Sequence, residues 1–184
     1  MYRVIGVTNR HLCNREYFGQ IERITGLPLE AVIVREKDMA EPEYKVLAQR
    51  VMEICEKNNT KCILHSFYGV ADELGCRYIH LPFGVFKSAA DIAERFDEAG
   101  TSVHSVPEAV EAERMGASYI TAGHIFATDC KKGLEPRGLG FLKEVCESVS
   151  IPVYAIGGIN RENMQSTIEC GAAGVCIMSG LMKY

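Results

Sequence analysis

Short runs of apolar and β-branched residues recur along the whole chain. Each run is mostly continuous rather than alternating with polar residues, which is typical of strands buried on both faces. The first run starts at Val4 and the eighth at Gly174, so the average repeat is about 24 residues, enough for one strand and one helix. The runs span residues 4–7, 31–34, 62–64, 78–81, 101–103, 119–122, 153–156 and 174–178.

Helical patterns lie between several of these runs. In residues 43–57 the apolar side chains recur at positions i, i+3, i+4 and i+7, with charged residues opposite. A second helix is predicted from Asn160 as N-cap, with Gly171 just past its end. Alternating strands and helices indicate parallel strands, and eight of them favour a closed α/β barrel, the TIM (β/α)8 fold, as a single domain over residues 1–184.

An open, doubly wound sheet is the alternative architecture. A nucleotide-binding sheet of this kind typically has a Gly-rich phosphate turn after its first strand. The chain has Val7-Thr8-Asn9-Arg10-His11 there, without glycine. The barrel is therefore the favoured fold.

The chain length bears on how the barrel ends. The 184 residues are fewer than the roughly 250 of a usual barrel. After the last apolar run the chain ends at Leu181-Met182-Lys183-Tyr184, which is too short for a helix of ordinary length. We therefore expect the eighth helix to be missing or very short. The apolar flank between strands eight and one would then be covered by a homodimer partner or by a rearranged short segment.

Composition excludes several classes of function. The chain is 47% hydrophobic and 24% charged, with a net charge of −4 and scattered basic residues, so we expect no nucleic-acid partner. No apolar run approaches the roughly 20 residues of a membrane span, and the chain enters a strand-like segment from its first residues, so we expect neither a membrane partner nor a secretion leader. The eight cysteines contain no C-x-x-C pair, which favours core-filling thiols and a cytoplasmic protein.

The loops after the seventh and eighth strands carry glycines. Gly157-Gly158 follows one strand, and Met178-Ser179-Gly180 closes the other. In barrels of this kind these two loops bind phosphate through backbone N–H groups. The alternative for Gly157-Gly158 is a tight strand-to-helix turn.

His124 stands at the end of the sixth strand, directly after Gly123. Residues at this end of a barrel strand surround the active site, and a neutral imidazole can donate or accept a proton near pH 7. A hydrogen-bonded structural histidine is the alternative.

A basic pair follows the second strand. Alternation along an extended segment puts Arg35 and Lys37 on the same side, where both can face an anionic substrate while Glu36 points away. The alternative is a solvated loop with local ion pairs. His104 and His65-Ser66 complete a polar rim, and no two histidines have the spacing of a zinc motif.

These residues together resemble a known family. Arg35-Glu36-Lys37, Ser102-Val103-His104, the Gly-x-Ile-Phe-x-Thr loop from Gly123 to Thr128, Gly157-Gly158-Ile159 and Met178-Ser179 are similar to the thiamine phosphate synthase and thiazole tautomerase (TenI) superfamily. The resemblance covers nearly the whole chain in order. It implies a TIM barrel, a small phosphorylated thiazole as ligand, and a place in thiamine biosynthesis.

The sequence departs from the synthase branch at its magnesium and pyrimidine positions. Ile33 stands where that branch has Gln, and Cys130 replaces the second Thr of its Thr-x-Thr-Lys motif. His65-Ser66 stands where it has Asn-Asp, and residues 81–86 lack its further Asp. Without these carboxylates there is little to hold Mg²⁺, so we expect no metal site and no cofactor, with Mg²⁺ required only if the chain is a synthase.

The tautomerase branch agrees better at the same positions, including His124 where the synthase has Pro. The resemblance implies that His124 is the acid/base that converts the exocyclic-double-bond thiazole carboxylate phosphate into its aromatic tautomer. The alternatives are a thiamine phosphate synthase and a barrel that binds a phosphorylated ligand without turnover. The expected substrate-binding residues are Arg35, Lys37, Ser102, His104, Thr128 and Lys131, with phosphate on Gly157, Gly158, Met178, Ser179 and Gly180.

Overall fold

Eight parallel strands form a closed barrel in the computed structural model, which describes residues 2–89 and 91–184. The strands follow one another around the barrel in chain order, so the predicted TIM-barrel fold is confirmed. Two strands have the predicted bounds, and the others differ from them by one to three residues at an end. The strands are β1 Arg3–Val7, β2 Ala31–Val34, β3 Lys61–His65, β4 Tyr78–Pro82, β5 Glu98–Val103, β6 Tyr119–Gly123, β7 Val153–Ile156 and β8 Gly174–Ile177.

Helices and short helical turns connect these strands. Most are short; the longest, α2, includes the whole segment predicted from the apolar pattern and begins earlier because Pro42 fits the first turn of a helix. Two 3-10 turns, Arg10–Leu12 and Asp129–Lys131, follow β1 and β6. The helices are α1 Tyr17–Thr25, α2 Glu41–Lys57, α3 Tyr68–Glu73, α4 Phe83–Ser88, α5 Ile92–Arg95, α6 Val106–Arg114, α7 Gly138–Ser148, α8 Met164–Glu169 and α9 Ser179–Met182.

The start of α8 corrects one prediction. Asn160 makes the hydrogen bonds of an N-cap, because its side-chain oxygen accepts the N–H groups of Glu162 and Asn163, but it caps a turn that precedes α8. The helix begins only at Met164. Gly171 follows its end with a φ of +98°, as expected for a residue just past a helix.

Contacts within the chain divide it into two compact units, each described by itself. The β1–β4 unit comprises Val4–His80 and Ile177–Tyr184, and the β5–β8 unit comprises Leu81–Cys176 with Tyr2 and Arg3. The single domain expected from the sequence stays a prediction.

In the β1–β4 unit, neighbouring strands are in parallel register and helices α1 and α2 cover them. The last helix, α9, is very short, which confirms the prediction that the eighth barrel helix is missing or very short. Its Leu181 and Met182 are buried, and Leu181 packs against Gly6 of β1. The amide of Gln20 on α1 donates to the Leu181 carbonyl over 2.6 Å. A short segment therefore covers part of β1, which agrees with the expectation of a rearranged short segment at this flank.

In the β5–β8 unit, β5 pairs with β6, β6 with β7 and β7 with β8, and α6 packs against α7. The register is fixed by buried side chains on both faces of β6, all of whose residues are buried. The hydroxyl of Thr101 donates to the Leu81 carbonyl at 2.9 Å, which satisfies a polar group inside the barrel.

None of the helices within residues 2–89 and 91–184 combines the length and the apolar character needed to cross a bilayer.

Candidate functional site

His124 lies at the carboxyl end of β6 in the β5–β8 unit, where the sequence predicted it. Its side chain is largely buried, with 8% of the residue exposed. Nε2 lies 3.3 Å from the carbonyl oxygen of Leu134. Because a carbonyl only accepts, the hydrogen bond puts a proton on Nε2 and leaves the lone pair of the neutral ring on Nδ1.

The loop that follows His124 is held against the end of β7. The N–H of Ile125 donates to the Ile156 carbonyl over 2.9 Å, and that of Phe126 donates to the Gly157 carbonyl over 3.0 Å. The loop closes again through the His124 carbonyl, which accepts the Arg137 N–H at 3.0 Å. The backbone on the carboxyl side of His124 is therefore fixed by hydrogen bonds.

Gly157 and Gly158 make this close approach sterically feasible. Both have a positive φ, +99° and +67°. A Cβ on Gly157 would overlap with the Cβ of His124, and one on Gly158 would overlap with the Ala127 carbonyl. The glycines are therefore needed in this tight turn because residues 124–127 pack directly against it.

The same turn leaves donors for an anion. Among residues 2–89 and 91–184 no protein group accepts the N–H of Gly157, Gly158 or Ile159. The phosphate prediction and the tight-turn interpretation are therefore compatible.

His104, at the end of β5, is tied to the end of β6. Its Nδ1 donates to the Gly123 carbonyl over 2.7 Å, and its backbone N–H donates to Glu108 Oε2 over 2.6 Å. Nearby, the hydroxyls of Thr121 and Ser102 are 3.0 Å apart. His104 thus positions the peptide that precedes His124, a role that the sequence did not predict.

Thr128 and Lys131 lie on the exposed loop of residues 127–137. The Thr128 hydroxyl accepts the Cys130 N–H at 3.4 Å and caps the 3-10 turn Asp129–Lys131. Lys131 and Cys130 are both exposed. Leu134 of the same loop accepts from His124, so this loop contacts the histidine directly.

Glu36, in the β1–β4 unit, has a role that the sequence did not predict. It is only 2% exposed, and its carboxylate accepts from the Thr8 hydroxyl at 2.8 Å and from the N–H and guanidinium of Arg10. Arg10 also forms two 2.7 Å hydrogen bonds to Asp38, and Arg10 and His11 hold the pKa of Asp38 well below its usual range. This network ties the loop after β1 to the loop after β2.

Of the predicted basic pair, Arg35 is half-buried and Lys37 is exposed. The backbone N–H of Arg35 donates to the Thr8 hydroxyl over 2.9 Å. The ion-pair alternative for this segment therefore holds for Glu36 and Asp38, and substrate binding by Arg35 and Lys37 stays a prediction. The sequence signal for the network is that Thr8 and Arg10 follow a strand at the same barrel end.

Met178-Ser179-Gly180 begins α9 in the β1–β4 unit. The Met178 carbonyl accepts the N–H groups of Leu181 and Met182, while Ser179 and Gly180 are exposed. The predicted phosphate site joins these residues with Gly157-Gly158 of the other unit, and it stays a prediction.

The residues present do not fit a magnesium ion. Mg²⁺ prefers carboxylate and water oxygens, but the positions to which the family resemblance assigns them hold His65, Ser66 and the apolar start of α4. The carboxylates of Glu36 and Asp38 are engaged by Arg10. No group of three or more His, Cys, Asp or Glu in the described ranges is arranged to hold a metal ion.

The fold and this arrangement define a class of protein: a (β/α)8 barrel with a buried histidine and polar loops after its strands. The family model described as thiamine monophosphate synthase matches residues 4–181. The chain belongs to this family, as the motifs led us to expect.

Relatives and a solved structure agree with the family. A thiamine-phosphate synthase of Clostridium novyi is 32% identical, covering 99% of this chain and 91% of its own. One from Clostridium acetobutylicum is also 32% identical, covering 99% and 88%. The solved thiamine phosphate pyrophosphorylase of Pyrococcus furiosus has a TM-score of 0.87 at 27% identity and covers 100% and 88%. These names support the transferase alternative rather than the tautomerase.

Proposed function

We propose that the chain is an enzyme that isomerises the exocyclic-double-bond thiazole carboxylate phosphate to its aromatic tautomer. The observation that carries the proposal is the placement of His124: a buried imidazole at the end of β6, with Nε2 on the Leu134 carbonyl. That hydrogen bond gives Nδ1 the lone pair that a general base needs.

The proposed chemistry needs one group that moves a proton. Nδ1 of His124 takes the proton from the ring carbon that bears the carboxylate. The C–H electrons form a new C=N bond in the ring, the electrons of the existing C=N bond move to form the ring C=C bond, and the electrons of the exocyclic double bond take a proton from the same imidazolium at its outer carbon. The reaction is an isomerisation, so protons and electrons balance without a cofactor.

Neighbouring groups would hold the ligand for this step. Ser102 and His104 lie on the adjacent strand end, and Lys131 is a cation on the loop that contacts His124. A cation near the substrate carboxylate would stabilise the negative charge that develops when the proton leaves. The N–H groups of Gly157 and Gly158 would position the phosphate.

The second candidate is thiamine phosphate synthase, and the names of the relatives at 32% identity favour it. The donor set argues against it, because His65 and Ser66 replace residues that would hold Mg²⁺ for pyrophosphate departure.

Two assays on the same preparation separate these candidates. We expect the exocyclic thiazole carboxylate phosphate to aromatise faster with the protein than without it, equally with EDTA or Mg²⁺. Thiamine phosphate formed from pyrimidine pyrophosphate and thiazole phosphate in the presence of Mg²⁺ would establish the synthase instead. Binding of the aromatic product with no acceleration in either assay would indicate a barrel without turnover.

A further inference from the structure

A chain of three hydrogen bonds runs from the start of α6 to the residue before His124, all within the β5–β8 unit. The register of β5 and β6 pairs Val103 with Ala122, which brings the next two residues, His104 and Gly123, side by side. His104 Nδ1 donates to the Gly123 carbonyl over 2.7 Å. That carbonyl belongs to the peptide group that joins Gly123 to His124, so the hydrogen bond holds the amino side of His124.

The start of α6 fixes His104 in turn. Ser105 is the N-cap of this helix, and its hydroxyl accepts the Glu108 N–H over 3.3 Å. Glu108 Oε2 accepts the backbone N–H of His104 over 2.6 Å. In a capping box the carboxylate at this position returns to the N–H of the N-cap residue. Here it reaches one residue further back, to the residue that holds the Gly123 carbonyl.

These hydrogen bonds assign opposite tautomers to the two histidines. Because a carbonyl only accepts, His104 carries a proton on Nδ1, bound to Gly123, and His124 carries one on Nε2, bound to Leu134. Nδ1 of His104 is therefore engaged in holding the backbone, which leaves Nε2 as the nitrogen of that ring for a ligand. The two nitrogens of His104 have separable roles.

We propose that Glu108 and His104 are positioning residues for His124, and that the hydrogen bond from His104 Nδ1 to the Gly123 carbonyl sets the place of the imidazole and thereby kcat. The proposal rests on the proposed function for the reaction that His124 performs. The ligand takes no part in these hydrogen bonds, so their loss should lower kcat and leave KM nearly unchanged. A displacement of about 1 Å can cost on the order of 10²-fold in rate.

Two substitutions of His104 separate its nitrogens. Asn places an amide N–H near the position of Nδ1, so His104→Asn should keep the hydrogen bond to Gly123 and a kcat close to that of the parent. Gln places its amide near the position of Nε2, so His104→Gln should lower kcat by roughly 10- to 100-fold. A rise in KM alone in His104→Asn is the effect expected of a ligand contact through Nε2, separate from positioning.

Glu108 supplies a second pair of variants. Glu108→Gln keeps an oxygen that accepts the His104 N–H and should keep the parental kcat, whereas Glu108→Ala should lower it. Glu111→Ala is the matched control, because Glu111 lies on the same helix and its carboxylate is 3.0 Å from Lys87 Nζ, outside the chain of hydrogen bonds. Circular dichroism checks that each variant is folded, and if His104→Gln does not fold, the two Glu108 variants carry the test.

Nuclear magnetic resonance of the isotope-labelled chain tests the positioning without turnover. At about pH 8, above the usual titration range of histidine, long-range proton–nitrogen spectra distinguish the two neutral tautomers. We expect the Nδ1–H form for His104 and the Nε2–H form for His124, each assigned through the variant that lacks it. The His124 signals should keep their parental positions in His104→Asn and Glu111→Ala and should move in His104→Gln and Glu108→Ala.

Three outcomes overturn the proposal: an Nε2–H tautomer of His104, His124 signals that do not move in His104→Gln, or a kcat lowered as much by His104→Asn as by His104→Gln. If the parent chain does not accelerate the isomerisation, the proposed function fails, and the spectra still decide whether Glu108 and His104 position His124. If the parent accelerates it and the spectra of His104→Gln stay parental, the positioning alone is refuted.

Discussion

At the scale of single residues, the candidate site depends on where side chains are absent as much as on where they are present. His124 can lie beside the end of β7 only because Gly157 has no Cβ. The Gly-Gly signal therefore combines two effects, a backbone conformation that other residues avoid and a close packing contact.

Replacing Gly157 by Ala should separate these effects. The new methyl group overlaps with His124. We therefore expect Gly157→Ala to lower the free energy of unfolding in urea more than Gly133→Ala does, by at least about 2 kcal/mol. Gly133 is the matched control because its φ is +80° and a Cβ there meets nothing within 4 Å. Equal destabilisation of the two variants would contradict the packing role of Gly157.

Residue-level chemistry was only partly predictable from the sequence. His124 and the glycines could be predicted because a strand end and a short motif mark them locally. The burial of Glu36 under Thr8 and Arg10 could not be predicted. It depends on the register of β1 against β2, which brings Glu36 into contact with Thr8, 28 positions earlier in the chain, and Arg10, 26 positions earlier. The stacking of His65 on His80 has the same cause, the register of β3 against β4.

At the scale of elements, the period of the apolar pattern was the dependable signal. Strands β2 and β7 have the predicted bounds because their continuous apolar runs end sharply at a polar residue or at glycine. The start of α8 was wrong because an Asn that accepts backbone N–H groups caps a turn as readily as a helix.

The short α9 should contribute measurably to stability. Leu181 is buried against Gly6 of β1, so Leu181→Ala should lower the free energy of unfolding by about 2–4 kcal/mol. Lys183→Ala, at an exposed position two residues later, should change it by less than about 0.5 kcal/mol. Similar values for both variants in urea unfolding would show that α9 does not pack as described. The expectation of a homodimer is separate from this and stays a prediction.

At the scale of the whole molecule, the buried histidines make stability depend on pH. The pKa of His80 is lowered by burial to about 3 in the folded chain, whereas an unfolded histidine titrates near 6.5. Between these values the unfolded state binds more protons than the folded state. The free energy of unfolding is therefore unaffected by His80 above pH 6.5 and decreases as pH falls below it, by on the order of a few kcal/mol at pH 3.

His80→Gln should therefore flatten the pH dependence of the free energy of unfolding between pH 6.5 and about 5. The variant is also expected to be less stable than the parent at neutral pH, because a buried polar side chain is exchanged. Lys183→Gln, at an exposed position, is the control and should keep the parental slope in this window. A parental slope in His80→Gln would show that His80 is not the group responsible.

The central claim is that His124 moves the proton. The measurement is the rate at which the exocyclic-double-bond thiazole carboxylate phosphate aromatises, in EDTA, with the parent chain, with His124→Gln, and without protein. Glutamine can still donate to the Leu134 carbonyl but cannot transfer a proton, and His11→Gln is the matched control. We predict that His124→Gln loses about 10²–10⁴-fold of the rate while its Tm still rises with the aromatic product. An unchanged rate in His124→Gln, or a parental rate equal to the spontaneous one, would contradict the account.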